Sequence, residues 1–102
     1  MLEFRPNCES CDQDLPPDST QALICSYECT FCKNCVEQLL ENVCPNCGGG
    51  FSPRPIRPQT DRRPGVSLAH QPASATRVHR SYSGDEIRAF SAIVKSIDPA
   101  SR

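Results

Sequence analysis

Cys25-Ser26-Tyr27-Glu28-Cys29-Thr30-Phe31-Cys32-Lys33-Asn34-Cys35, followed after eight residues by Cys44-Pro45-Asn46-Cys47-Gly48, is the stretch that decides the fold. With Cys8 and Cys11 upstream, all eight cysteines of the 102-residue chain fall in its first 47 residues, in four close pairs. A two-residue gap lets both sulfurs of one turn point at a single ion, and two such turns complete the tetrahedral four-thiolate shell that zinc prefers. Eight such ligands predict two zinc ions per chain.

The order is C-x2-C-x13-C-x3-C-x2-C-x2-C-x8-C-x2-C. Pairs taken in sequence would place the first four cysteines on one ion and the last four on the other. Pairs taken alternately place Cys8, Cys11, Cys32 and Cys35 on one ion, and Cys25, Cys29, Cys44 and Cys47 on the other. Only Thr30 and Phe31 separate Cys29 from Cys32. A gap that short lets one hairpin serve both sites, which favours the alternating, cross-braced arrangement.

Local signals agree with it. Ala22-Leu23-Ile24 and Thr30-Phe31 flank the Ser26-Tyr27-Glu28 turn and predict a small β-hairpin. Beyond it, Asn34 and Glu37 stand in capping-box register, and Val36, Leu39, Leu40 and Val43 recur at i, i+3, i+4 and i+7, which predicts a short helix with one apolar face. Cys35 falls in its first turn, where the helix N-terminus favours a thiolate. Cys44-Pro45-Asn46-Cys47 reads as a metal knuckle, with Gly48 free to take positive φ just past the second sulfur.

A hairpin, Cys32-x-x-Cys35, a short helix and Cys44-Pro45-x-Cys47 resemble a RING-type treble clef, with Cys29 where RING fingers usually carry histidine. More closely, the run from Arg5-Pro6-Asn7-Cys8 through Leu15-Pro16-Pro17-Asp18 to Cys44-Pro45-Asn46-Cys47-Gly48-Gly49 resembles the short bacterial proteins of the domain-of-unknown-function 1272 family. That resemblance covers roughly residues 1–58 and all eight cysteines; it implies a fold and no activity. The RING likeness implies ubiquitin-ligase chemistry only weakly. Ligases of that kind carry a branched apolar residue after the first cysteine, a basic residue after the last, and often a tryptophan in the contact groove. Here the first two positions hold Glu9 and Gly48, and the chain has no tryptophan.

The fold class expected is thus a small, metal-stabilised α+β module over residues 1–52. Its dozen or so apolar residues form too small a core to order the chain unaided, so metal binding must contribute to folding. Disulfides are the other staple open to a cysteine-rich chain. The N-terminal Met1-Leu2-Glu3-Phe4-Arg5-Pro6 has no secretory pattern and no window has the length of a membrane span, so a cytoplasmic, reducing location and free metal-binding thiols are expected.

Charge divides the chain as sharply as cysteine does. Residues 1–52 carry two cations against eight carboxylates (2 − 8 = −6), and residues 53–102 carry nine against four (9 − 4 = +5). Residues 53–82, rich in Pro, Arg and Ser, read as a flexible linker. Residues 83–98 read as an amphipathic helix, with Ser83 and Glu86 as a capping box and Ile87, Phe90, Ile93, Val94 and Ile97 on its apolar side; residues 99–102 form a tail. A helix of about 13 residues is marginal alone and needs a surface. Its own zinc module, a partner protein or a second copy could each supply one. A membrane surface is less suited, because only Arg88 and Lys95 are cationic on the polar face.

Other chemistries fit less well. A catalytic zinc keeps an open position and commonly histidine or carboxylate ligands, whereas His70 and His79 lie far from the cysteines in a polar stretch. An iron–sulfur cluster is suggested by Cys29-x2-Cys32-x2-Cys35, but the next cysteine follows after eight residues rather than three. Nucleic acid could be met through Arg54, Arg57, Arg62, Arg63, Arg77 and Arg80, with few aromatics beside them and an acidic module behind. The expected function is a non-enzymatic zinc module that binds a protein partner, with nucleic-acid binding through the basic tail as the alternative.

Overall fold

A computed structural model describes residues 1–102. β1 (Ala22–Ile24) and β2 (Thr30–Cys32) pair antiparallel with Leu23 opposite Phe31. Their turn closes through Glu28, at φ 67°, whose N–H donates to the Cys25 carbonyl at 3.0 Å. A third strand the sequence does not announce, β3 (Ser52–Pro53), pairs with the other side of β1, giving the order β2-β1-β3. Pro53 has no N–H to donate, so an edge is the place where a sheet tolerates it.

β2 leads directly into α1 (Lys33–Cys35), which continues as a π-helical turn over Val36–Leu40. The cap is Cys32 and not Asn34: Cys32 holds the extended cap conformation, and its sulfur accepts the Cys35 N–H at 3.5 Å. A sulfur acceptor at that position starts the helix two residues early and leaves Asn34 inside the first turn. Glu41 and Asn42, both at positive φ (50° and 60°), then reverse the chain and drop Val43 into the interior. Phe31, Leu15 and Leu40 pack with the buried cysteines as one cluster, and Phe51 meets Phe31 edge-on at 5.4 Å and 77°.

Residues 53–82, expected as a free linker, run along the module instead. Arg54 is buried and its guanidinium donates to the carbonyls of Arg5 (2.9 Å), Leu15 (3.2 Å) and Pro16 (3.0 Å). Arg57 donates to the Leu2 and Gln71 carbonyls, and both guanidinium groups lie over the Phe4 ring, at 5.0 and 4.5 Å from its centroid. Farther on, Val78 exchanges two hydrogen bonds with the Asn7 side chain, and Arg77 pairs with Asp12 and Asp14. The segment has little regular structure, yet the opposite charges of the two halves bring it home. Polar composition here marks a strap held by arginines, not a tether.

The helix α2 (Gly84–Val94) starts from Ser83, with both bonds of the capping box in place. It ends at Val94, short of the 83–98 expected, and Asp98 then caps a separate 3-10 turn at Pro99–Ser101. Its inner face docks on the module: Ile87 joins the core, and the Ser91 hydroxyl donates to the Leu40 carbonyl at 3.1 Å. Phe90 lies against Gly48, where an added Cβ would stand 3.5 Å from the ring, and Gly48 itself is at φ 79°. Arg102 completes the wrap by donating to the carbonyls of Asn42 and Gly48. No helix is long and apolar enough to cross a membrane.

Candidate metal centres

The fold gathers the sulfurs into two groups drawn alternately from the chain. Cys8, Cys11, Cys32 and Cys35 have all four sulfurs within 4.8 Å of one another, and Cys25, Cys44 and Cys47 form a second set on the same criterion. The first group joins the N-terminal turn to the start of α1. The second joins the hairpin turn to the 44–47 knuckle. Either could hold a metal ion.

The first group can be tested for fit on its own geometry. The Cys11 and Cys32 sulfurs are 3.8 Å apart, and a tetrahedron of metal–sulfur bonds near 2.3 Å has edges of about 3.8 Å. Backbone N–H groups already point at the sulfurs as they do around a thiolate: Cys11 to Cys8 and Cys35 to Cys32 at 3.5 Å, Tyr27 to Cys25 and Gly49 to Cys47 at 3.4 Å. Such donors offset negative charge on sulfur, so each turn is arranged for the ionised ligand. Cys11 and Cys47 are exposed and the other six cysteines are buried, which leaves one sulfur of each group at the surface.

Cys29, expected as the fourth ligand of the second site, stands outside that mutual set. It lies beside Cys44, Asn46 and Cys25, and these neighbours decide its chemistry. The Cys44 thiol draws Cys29 down to about 5, against the opposing effect of burial and with help from the Asn46 amide. The same contact, with burial, pushes Cys44 well up, and burial pushes Cys25 up to about 11. Around the first group, burial raises Cys32 and Cys35, whereas hydrogen bonds from Gln13 and the neighbouring cysteines outweigh burial and lower Cys11.

An open cavity of about 480 Å³ borders the second group, lined by Arg5, Tyr27, Cys29, Asn46, Cys47 and Arg80. Two guanidinium groups on that wall oppose the charge that four thiolates would bring. Between them sits Glu9, fully buried, with Arg5 at 2.8 Å and Arg80 at 3.5 Å. Sequence reasoning read Arg54 as a nucleic-acid contact and Glu9 only as a departure from the ligase pattern, and it did not foresee the burial of either or of Asn7. The one signal was the Glu next to a ligand cysteine, where an exposed acid is the ordinary reading. His70 pairs with Asp61 at 2.9 Å on the strap and stays apart from both sulfur groups.

The family described as "Protein of unknown function (DUF1272)" matches residues 1–57, which contain every cysteine. The chain is also similar to "Uncharacterized protein R02474" of Rhizobium meliloti (strain 1021), at 54% identity over 78 residues, spanning 76% of this chain and 86% of that protein. No solved structure matches.

Proposed function

The chain belongs to the DUF1272 family of proteins of unknown function, and from its cysteine geometry we propose that it is a two-zinc, RING-like treble-clef module that acts by binding a protein partner rather than by catalysis. The observation that carries this reading is the interleaving of the sulfur groups: pairs one and three in one, Cys25 of pair two with pair four in the other. Four-thiolate sites suit zinc, which takes sulfur ligands in a closed tetrahedral shell and needs no redox partner. Cys29, which lies beside Cys25 and Cys44, is assigned as the eighth ligand. Eight sulfurs for two ions leave no coordination position for water, so the zinc is structural and a hydrolytic role is disfavoured.

The same economy bears on the partner. Of the six arginines that could meet a nucleic-acid backbone, Arg54, Arg57, Arg77 and Arg80 are engaged by the module, and Arg62 and Arg63 are exposed. A protein partner therefore suits the surface better than a polyanion. On its outer side α2 exposes Ile93, and Ile97 just beyond the helix is partly exposed as well. Elemental analysis of protein purified without added metal, with a visible spectrum, tests the core of the proposal. Two zinc ions per chain and a colourless solution are expected. One ion per chain, or the charge-transfer bands of iron, would contradict it.

A further inference from the structure

We infer that Glu9 couples the two metal sites, so that filling one prepares the other. Glu9 follows Cys8, in the first turn of the first sulfur group. Its N–H donates to the Thr30 carbonyl at 2.9 Å, and its Oε2 accepts the Thr30 N–H at 2.6 Å. Both main-chain polar groups of Thr30 are thereby taken by one residue. Thr30 directly follows Cys29, of the second site, and stands two residues before Cys32, of the first. The ring of two hydrogen bonds clamps the short β2 segment that passes from one metal site to the other.

A fully buried carboxylate is a costly way to make such a clamp unless its charge is met. Here Arg5 meets Oε2 at 2.8 Å, while Oε1 has only the Arg80 guanidinium nearby, at 3.5 Å, and no hydrogen bond. The charge is held in place by a residue of the N-terminal turn and a residue of the strap. When Cys8 and Cys11 close on an ion, Glu9 is fixed; when Glu9 is fixed, Thr30 and with it Cys29 are fixed. The linkage must run equally in reverse, because coupling between two binding events is reciprocal. Couplings of this kind commonly amount to about 5–150-fold in affinity.

The inference rests on reading both sulfur groups as zinc sites, and its test separates the two claims. Native mass spectrometry of the full chain during a zinc titration counts zero-, one- and two-metal species. The wild type is expected to pass from zero to two with one-metal protein well below the statistical proportion of independent sites. Glu9→Ala, which removes the acceptor of the Thr30 N–H, is expected to populate the one-metal species at or near that proportion. Glu9→Gln keeps an acceptor at the same reach and is expected to stay cooperative, although the Arg5 pair is lost. One-metal protein at the statistical level in the wild type overturns the inference. So does a Gln variant as uncooperative as the Ala variant, or an Ala variant indistinguishable from the wild type. Should Glu9→Ala not hold metal at all, the wild-type distribution and the Gln variant still decide. Failure of the wild type to take up a second zinc would instead sink the two-zinc reading itself.

Discussion

Stripping zinc with a strong chelator is expected to unfold residues 1–52 and release the strap and α2 with them. A structural four-thiolate zinc contributes about 10–16 kcal/mol of apparent binding free energy at neutral pH, all of it folding free energy when the unfolded chain has no site. The whole stability of a small domain is about 5–15 kcal/mol, so either ion outweighs what the remaining contacts can hold. The core is correspondingly slight: the 12-residue cluster includes six cysteines among its buried members. Neither the strap nor the 11-residue α2 has another surface to hold it. Circular dichroism and amide exchange after chelation should report a disordered chain, with the signal restored by zinc. Acid should act in the same direction, because each ligand must lose a proton to bind. Cooperative thermal unfolding of a fully stripped protein would mean that the metal is not structural.

Arg54→Leu is expected to have the largest effect of any single change outside the cysteines, a loss of about 3 kcal/mol in zinc-saturated protein. Replacing a buried charge by an apolar group is often nearly neutral when its partners leave with it. Here they remain: the carbonyls of Arg5, Leu15 and Pro16 would stay in place with no donor. Burial also disfavours the charged form of Arg54, and no carboxylate compensates it. What holds it is the trio of carbonyl dipoles and the Phe4 ring. Arg57→Leu, at the less buried side of the same ring, is expected to cost nearer 1 kcal/mol. Denaturant titrations at saturating zinc compare the two. Equal midpoints for Arg54→Leu and wild type would show that the strap is held by its fit and not by this residue.

The parts of this molecule that were legible in the sequence are those encoded by spacing within a few residues. Cysteine pairs two or three residues apart announce sulfur turns, apolar runs on either side of Ser26-Tyr27-Glu28 announce a hairpin, and Ser83 with Glu86 announces a helix start. What escaped is encoded across long separations. Asn7 meets Val78 across 71 residues, and Arg54 meets Pro16 across 38; no local window contains either pair. Arg54-Pro55-Ile56-Arg57-Pro58 takes no regular structure, and nothing in its composition says that its two guanidinium groups lie over the Phe4 ring. Glu9 escaped for a related reason. An acid beside a cysteine is ordinarily solvated, and its burial depends on an arginine that the strap brings back 71 positions later. Asn34 lost the cap to Cys32 because sulfur, a poor capping atom in general, is here the acceptor that the metal turn already aims at the helix.

The most direct test is a crystal structure of the zinc-loaded protein with anomalous differences measured at the zinc edge. Two peaks are expected, one with Cys8, Cys11, Cys32 and Cys35 at about 2.3 Å and the other with Cys25, Cys29, Cys44 and Cys47 at the same distance. A single peak, an ion held by Cys8, Cys11, Cys25 and Cys29, or a second ion that leaves Cys29 unbound would contradict the cross-braced pair of sites.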